Sequence, residues 1–172
     1  MKIYTKTGDN GETDLYDGTR AQKSDQIFDL LGALDEVSSH LGLLILYLKE
    51  RGNDITNEMA FLRKTQQTLL NIGSIIATPN PKGGQTLPII SEEDVSEIET
   101  RIDRLDSFLQ PLVVFILQGG TTISESQSHV CRTVTRRTER EMIKYGNVDE
   151  YIFKYINRLS DYFFTLARYC SE

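Results

Sequence analysis

The stretch Ser24-Asp25-Gln26-Ile27-Phe28-Asp29-Leu30-Leu31-Gly32-Ala33-Leu34-Asp35-Glu36-Val37-Ser38-Ser39-His40-Leu41 carries the pattern that decides the fold. Ile27, Leu30, Leu31, Leu34, Val37 and Leu41, continued by Leu44, Ile45 and Leu48, fall three and four apart, as one face of a helix does. Ser24 or Asp25 can cap its start. Gly32 and Gly42 cost about 1 kcal/mol each against alanine and suit close helix packing. Asp35 lies on the flank of the apolar stripe, where a carboxylate is either solvated or open to a subunit contact.

The same period recurs downstream. Ile55, Met59, Leu62, Leu69, Ile72 and Ile76 predict a second helix from about Asp54 to Ala77, followed by the loop Thr78–Gln85. Ser91 caps a third, with Val95, Ile98, Ile102 and Leu105 inside. Its alternating Glu97, Glu99, Arg101, Asp103 and Arg104 read as a solvated face. Val113–Leu117 is too short for a helix and reads as an extended, buried connector closed by Gln118-Gly119-Gly120. Thr121 or Thr122 caps a fourth helix ending near Gly146, with Ile123, Val130 and Val134 expected on its core face. A fifth begins at Asp149 and turns Ile152, Ile156, Leu159, Phe163 and Leu166 inward. With almost no strand signal, the expected fold is all-α. It is a single domain over residues 1–172: an up-down five-helix bundle with a ferritin-like four-helix core plus one helix (24–172), preceded by the segment 1–23.

The chain has 172 residues, enough to bury a core without disulfides or a metal. No apolar run is read as a membrane span, and Met1–Thr5 has the character of neither a signal nor a transit peptide. The expected location is the cytoplasm, or the mitochondrial matrix for a processed eukaryotic form. A net charge of -6 argues against wholesale nucleic-acid binding. Cys131 and Cys170 have no metal-type spacing and fit a reducing compartment.

Within this acidic chain the cations cluster. Lys2, Lys6, Arg20 and Lys23 lie near the N-terminus, and Arg132, Arg136, Arg137 and Arg140 fall within nine residues. At helical spacing Arg132, Arg136 and Glu139 form one stripe. Such a stripe is either a wet helix face or a site for phosphate or a partner's carboxylate. On helix five Asn157, Asp161, Phe164 and Arg168 form a second stripe. Thr5-Lys6-Thr7-Gly8-Asp9-Asn10-Gly11-Glu12-Thr13 mixes glycine, hydroxyl and lysine, which suits a surface turn or a phosphate cradle. It is neither a Walker loop nor a Rossmann fingerprint. His40 and His129 each follow a glutamate by four residues, which is not the Glu-x-x-His spacing of di-iron bundles. No protein-borne metal site is expected. Cys131 beside Arg132 is either an inert small residue or a thiol with a lowered pKa.

Three separated stretches together resemble one family. They are Lys2–Thr13, Arg132–Arg140 and Tyr155-Ile156-Asn157-Arg158-Leu159-Ser160-Asp161, supported by Gly32-Ala33-Leu34-Asp35-Glu36 and Phe115-Ile116-Leu117-Gln118-Gly119-Gly120. In that order they resemble the PduO-type ATP:cob(I)alamin adenosyltransferases. The resemblance implies a homotrimer with active sites between adjacent subunits. It implies transfer of the 5′-deoxyadenosyl group of ATP to the cobalt of reduced cobalamin, with Mg²⁺ accompanying the nucleotide and triphosphate released. Thr5, Lys6, Gly8, Asp9, Gly11, Thr13 and Lys23 would hold phosphates. Arg132, Arg136, Arg137, Glu139 and Asn157 would complete the nucleotide site. Asp35 would pair with Arg132 across the subunit boundary. Phe115 would press on the lower corrin face, keeping the dimethylbenzimidazole off cobalt and easing reduction of cobalt(II). A reductase and an adenosylcobalamin-dependent enzyme are the implied partners. Departures from the family pattern are Gln118 for proline, Asp17 for glycine, Ala33 for threonine and Ser38 for asparagine. The alternative is a non-catalytic ATP-binding bundle, a nucleotide sensor or corrinoid chaperone.

Overall fold

The computed structural model describes residues 2–4, 6–51 and 55–172. Its elements are β1 (Glu12–Asp14), β2 (Arg20–Gln22), α1 (Gln26–Lys49), α2 (Thr56–Ile76), α3 (Glu92–Asp106), α4 (Ile123–Tyr145) and α5 (Glu150–Ser171). The expected start of α2 at Asp54 lies outside the described residues.

Side-chain contacts fix the directions of the helices. Thr138 Oγ1 donates to the Ala33 carbonyl at 3.2 Å and Gln127 Nε2 to the His40 carbonyl at 3.0 Å, so α4 runs antiparallel to α1. Gln66 Nε2 donates to the Ser38 carbonyl at 2.9 Å, while Leu31 lies against Gly73, so α2 is also antiparallel to α1. Tyr162 meets Glu58, and Tyr155 lies over Thr65 and Thr68, which sets α5 antiparallel to α2. The four form a closed ring, α1–α2–α5–α4, with α2 and α4 on a diagonal. That diagonal needs a long crossover, and α3 is carried in it. Arg158–Glu99 and Arg168–Asp106 lay α3 parallel to α5, and Lys64–Glu97 ties it to α2. The expected all-α bundle of four core helices plus one is therefore the observed fold.

The seam of α1 is as the periodicity predicted: Ile27, Leu30, Leu34, Val37, Leu41, Leu44, Ile45 and Leu48 are all buried. By length and composition α1 is apolar enough to cross a membrane, contrary to the first reading, and these same residues close the bundle core. Asp25 precedes α1, but its carboxylate accepts from Gln22 N at 3.0 Å instead of capping the helix. Glycine at 42 faces Gln66, whereas Gly32 has open space where a Cβ would be.

Three expectations are overturned. On α4, Ile123 and Val130 are exposed, and the buried arc is Cys131, Val134, Thr138 and Met142 with Ser124, Gln127, Ser128 and Thr135. The cause is that α4 packs on both α1 and α5, so its buried arc is wide and largely polar. Its hydroxyls are satisfied locally: Ser128 donates to the Ser124 carbonyl at 2.8 Å and Thr135 to Cys131 at 2.8 Å. On α3, Arg101 and Arg104 are not simply solvated. They converge on Glu58, which is 1% exposed, at 3.2 and 3.1 Å, and Tyr162 Oη donates to the same carboxylate at 2.8 Å. Finally, the connector is not buried. Val113, Val114, Phe115 and Leu117 all stand in solvent, because α3 already covers the α2–α5 seam and leaves the crossover on the surface.

Candidate functional site

The N-terminal segment becomes a hairpin whose leading loop folds over β2. Thr13 pairs with Ala21 in an antiparallel ladder. Gly11, at φ +86°, accepts at its carbonyl from Lys23 N at 2.8 Å, and Gly11 N donates to Gly8 O at 3.3 Å. Lys23 Nζ donates to Gly8 O at 2.7 Å, and an arginine, Arg20, donates to Thr7 O at 2.6 Å. A Cβ at Gly8 would stand 3.1 Å from Lys23 Nζ and 3.2 Å from Glu12 O, so any larger residue would make this close turn give by a few tenths of an ångström. Lys6 adopts φ +62°, and Asp9 is exposed at the loop tip. Thr5 lies outside the described residues. The loop thus offers backbone amides and two lysines at the surface, with Lys23 resting on a carbonyl.

The far end of the hairpin is anchored by a residue that departs from the family pattern. Asp17 is 3% exposed; its carboxylate accepts from Thr19 N at 2.8 Å and Asn80 N at 3.1 Å. The hydrogen bonds to Thr19, with those from Asn80 and the Lys82 charge, hold its carboxyl below the usual range. Tyr16 N also donates to Ala77 O at 2.9 Å, docking the hairpin on the end of α2. Asp17 therefore substitutes a hydrogen-bonded tether for backbone freedom.

On α4 the predicted stripe is bracketed by α5. Asn157 Nδ2 donates to Glu139 Oε1 at 2.7 Å at one end, and His129 faces Phe164 at 6.3 Å between ring centroids at the other. Between them lie Arg136, exposed, and Arg132, half-buried with its Nε lacking a partner among the described residues. Burial, then the charge of Arg136, lowers the Arg132 pKa. Two adjacent guanidiniums without a carboxylate among the described residues form a strong anion-directed surface. Arg158 Nη1 donates to Asn157 Oδ1 at 3.1 Å, which orients the amide toward Glu139.

Arg137 is not part of this stripe. It projects the other way and pairs with Glu36 of α1, in a cleft of 450 Å³ lined by Phe28, Asp29, Gly32 and Lys144. Asp35 is exposed beside a 550 Å³ cleft between α1 and α2 lined by Tyr16, Leu34, Ser38, Leu70 and Ser74. Asp35 and Arg132 thus occupy grooves on opposite sides of the α1–α4 pair, and one chain does not bring them together. Phe115 is fully exposed on the crossover, with Gln118 beside Gly119 at φ +86°.

His129, set aside above as a metal ligand, stands on the same face as Arg132. Both its ring nitrogens are buried without partners among the described residues, and burial followed by the Arg132 charge lowers its pKa. Its place three residues before Arg132, on the same stripe, was the available signal. Burial pushes the Cys131 thiol up to about 12, so this cysteine is not a nucleophile despite its neighbour Arg132. No cluster of three metal-ligating side chains occurs among the described residues.

Residues 3–170 match the family model described as cobalamin adenosyltransferase. The chain is 41% identical over 176 residues to corrinoid adenosyltransferase MMAB of Homo sapiens, covering 99% of this chain and 69% of that protein. It is 38% identical to the corrinoid adenosyltransferase of Bacillus subtilis (strain 168), covering 98% and 86%. Among solved structures, a phenylalanine-to-alanine variant of a PduO-type ATP:corrinoid adenosyltransferase from Lactobacillus reuteri, complexed with cobalamin and ATP, superposes with TM-score 0.90. That match has 33% identity and covers 99% of this chain and 93% of the other.

Proposed function

The chain belongs to the cobalamin adenosyltransferase family, and from that premise we propose how its residues carry out ATP:cob(I)alamin adenosyl transfer. The enzyme moves the 5′-deoxyadenosyl group of ATP to reduced cobalamin. Cobalt(I) supplies an electron pair to C5′, the new Co–C bond forms as the C5′–O bond breaks, and triphosphate leaves with that bonding pair. The protein's task is to hold C5′ over cobalt and stabilise the leaving charge.

The observation that carries the assignment of roles is the pair of uncompensated guanidiniums on α4. Arg132 has an unpartnered buried Nε, and Arg136 stands beside it. Arg136 takes phosphate oxygens with Lys6, the backbone N–H groups of Gly8 and Asp9 and the hydroxyls of Thr5 and Thr13, on a turn that Gly11 shapes by donating its N–H to Gly8 O. Lys23 is held in the free chain by Gly8 O, so its service to phosphate requires an exchange of partners when ATP binds, whereas Arg137, paired with Glu36 in the α1–α4 cleft, ties α4 to α1 on a face away from Arg136. Glu139 and Asn157, already bonded to each other, receive the ribose. Mg²⁺ is carried by the triphosphate and water.

The site lies between subunits of a homotrimer. Asp35 of one chain meets Arg132 of the next, which suits their positions on separate grooves of one chain. Phe115, bare in the monomer, covers the lower corrin face and keeps the dimethylbenzimidazole from cobalt. Cys131 and Cys170 are buried and not joined in a disulfide, which suits a reducing compartment, the cytoplasm or the mitochondrial matrix. A reductase that delivers cob(I)alamin and an adenosylcobalamin-dependent acceptor are the partners of this reading.

The test is direct. The protein is mixed in the dark with ATP and chemically reduced cob(I)alamin, the corrin absorbance is followed, and triphosphate is assayed. Adenosylcobalamin and triphosphate form in equal amounts. Absence of both overturns the reading, and ATP binding without turnover would favour the nucleotide sensor or corrinoid chaperone.

A further inference from the structure

The crossover between α3 and α4 is bare in its middle and gripped at both ends by one place, the last turn of α5. Arg168 is 14% exposed at its side chain; its Nη1 donates to Asp106 Oδ1 at 3.1 Å and its Nη2 to the Gln110 carbonyl. Tyr169 packs edge-on against Phe108 at 6.1 Å. At the other end, Thr122 Oγ1 donates to the Cys170 carbonyl at 3.0 Å, and Arg51 Nη1 donates to that same carbonyl at 2.6 Å. Inward of Thr121 stand Gly120 and Gly119, both at positive φ, and a Cβ at Gly119 would stand 2.8 Å from Ser126 Oγ. Between the two ends, Val113, Val114, Phe115 and Leu117 are exposed and uncovered among the described residues.

This arrangement has a physical consequence. An exposed apolar strap of this length has little of its own to hold its shape, since few of its backbone groups join a ladder. Its conformation is set by its two ends. The Arg168 guanidinium spans the helix end at Asp106 and the strap's first peptide groups at Gln110, a charge-assisted pair from one rigid planar donor. Holding a contact residue in its bound position reduces the entropy lost when a ligand docks.

We propose that Arg168 is a positioning residue for the corrinoid substrate: by clamping the foot of the 107–122 strap to α5, it presents Phe115 and its apolar neighbours in the geometry that receives the corrin face. The inference rests on the assignment of Phe115 to that face. The guanidinium of Arg168 is engaged with Asp106 and Gln110 at the foot of the strap, and the hairpin that serves ATP docks elsewhere, on the end of α2.

The experiment uses the full chain with Arg168→Met, Arg168→Lys, Phe115→Ala and Lys64→Gln, the last removing an α2–α3 ion pair away from the strap. Saturation by ATP and by cob(I)alamin is measured separately, and amide hydrogen exchange is followed at residues 107–109 and 120–122, the strap amides that carry a hydrogen bond. Arg168→Met raises the corrinoid KM about tenfold, the equivalent of one charge-assisted hydrogen bond, and leaves the ATP KM within about twofold. Exchange in the strap rises while α1 and α2 stay protected. Arg168→Lys, which keeps a donor, recovers part of both effects, and Lys64→Gln shows neither. Unchanged exchange in Arg168→Met overturns the clamp. Faster exchange with an unchanged corrinoid KM, or with both KM values raised together, overturns the positioning role. If Phe115→Ala leaves corrinoid KM and turnover as in the parent protein, the assignment of Phe115 is what has failed, and the inference falls with it.

Discussion

Glu58→Gln tests what fastens α3, and with it the start of the crossover, to the bundle. Glu58 accepts from Arg101 at 3.2 Å, Arg104 at 3.1 Å and Tyr162 at 2.8 Å while 1% exposed. Glutamine keeps the volume and one acceptor oxygen but removes the charge. Charge-assisted hydrogen bonds contribute roughly 1.5–3 kcal/mol and neutral ones about half of that. The two arginine contacts, both to Oε1, therefore weaken by about 2 kcal/mol, while the new amide nitrogen stands in place of Oε2 and donates to Tyr162 Oη. The Arg104 side chain is 46% exposed, so water screens its share and the expected loss is nearer ~1.5 kcal/mol. For a chain of this size that lowers Tm by roughly 3–6 °C. Tyr162→Phe removes the third donor from the same buried carboxylate and costs about 1–2 kcal/mol. Since both changes act on one network, the double variant loses less than the sum, by about 0.5 kcal/mol or more. Thermal unfolding is followed by circular dichroism at one fixed protein concentration, so that association does not shift the midpoint. A Glu58→Gln midpoint within about 1 °C of the parent, or strict additivity in the double variant, would refute the network's role.

Three further outcomes are expected. Asp35→Asn and Arg132→Ala each cut adenosyl transfer by similar factors, and the double variant is no worse than either; independent, multiplying losses in steady-state rates would rule out the pairing. Asp17→Asn keeps one acceptor where the carboxylate had two, so exchange at the amides of Thr19 and Asn80 quickens and the ATP KM rises; an unchanged exchange pattern would show that the tether is not what docks the hairpin. For His129, burial and Arg132 depress the pKa below its ordinary 6.5. A depressed histidine favours the fold fully above that value, and its contribution is lost as pH falls through the lowered one. Tm therefore falls more steeply below about pH 6.5 in the parent than in His129→Gln, and parallel curves would count against it.

Legibility differed between the helices for a definite reason. On α1 and α5 burial is carried by aliphatic and aromatic side chains, so apolar spacing and the buried face coincide. The long α4 is different. Its buried arc joins Cys131, Val134 and Met142 to Ser124, Gln127, Ser128, Thr135 and Thr138, polar side chains that go inside because each hydroxyl or amide is hydrogen-bonded. Apolar spacing therefore pointed to Ile123 and Val130, which face solvent. The opposite failure occurred at Val113–Leu117, where a run of apolar residues implied burial. Composition states that such a run avoids water, but not whether its own chain supplies the cover.

By itself the sequence determined the five helices and the starts of α1, α3, α4 and α5, the inward faces of α1 and α5, the cationic stripe of Arg132 and Arg136, and the glycine turn at Gly8 and Gly11. These depend on spacing within one element, and helical period, capping and glycine conformation are local properties. The tertiary structure alone decided which groove each charged residue enters. It sent Arg137 to Glu36, set Asp35 apart from Arg132, drew Arg101 and Arg104 onto Glu58, and bound both ends of the crossover to the last turn of α5. Those choices follow from how five helices share their surfaces, and neighbours 40 to 100 residues apart leave no periodic trace in the chain.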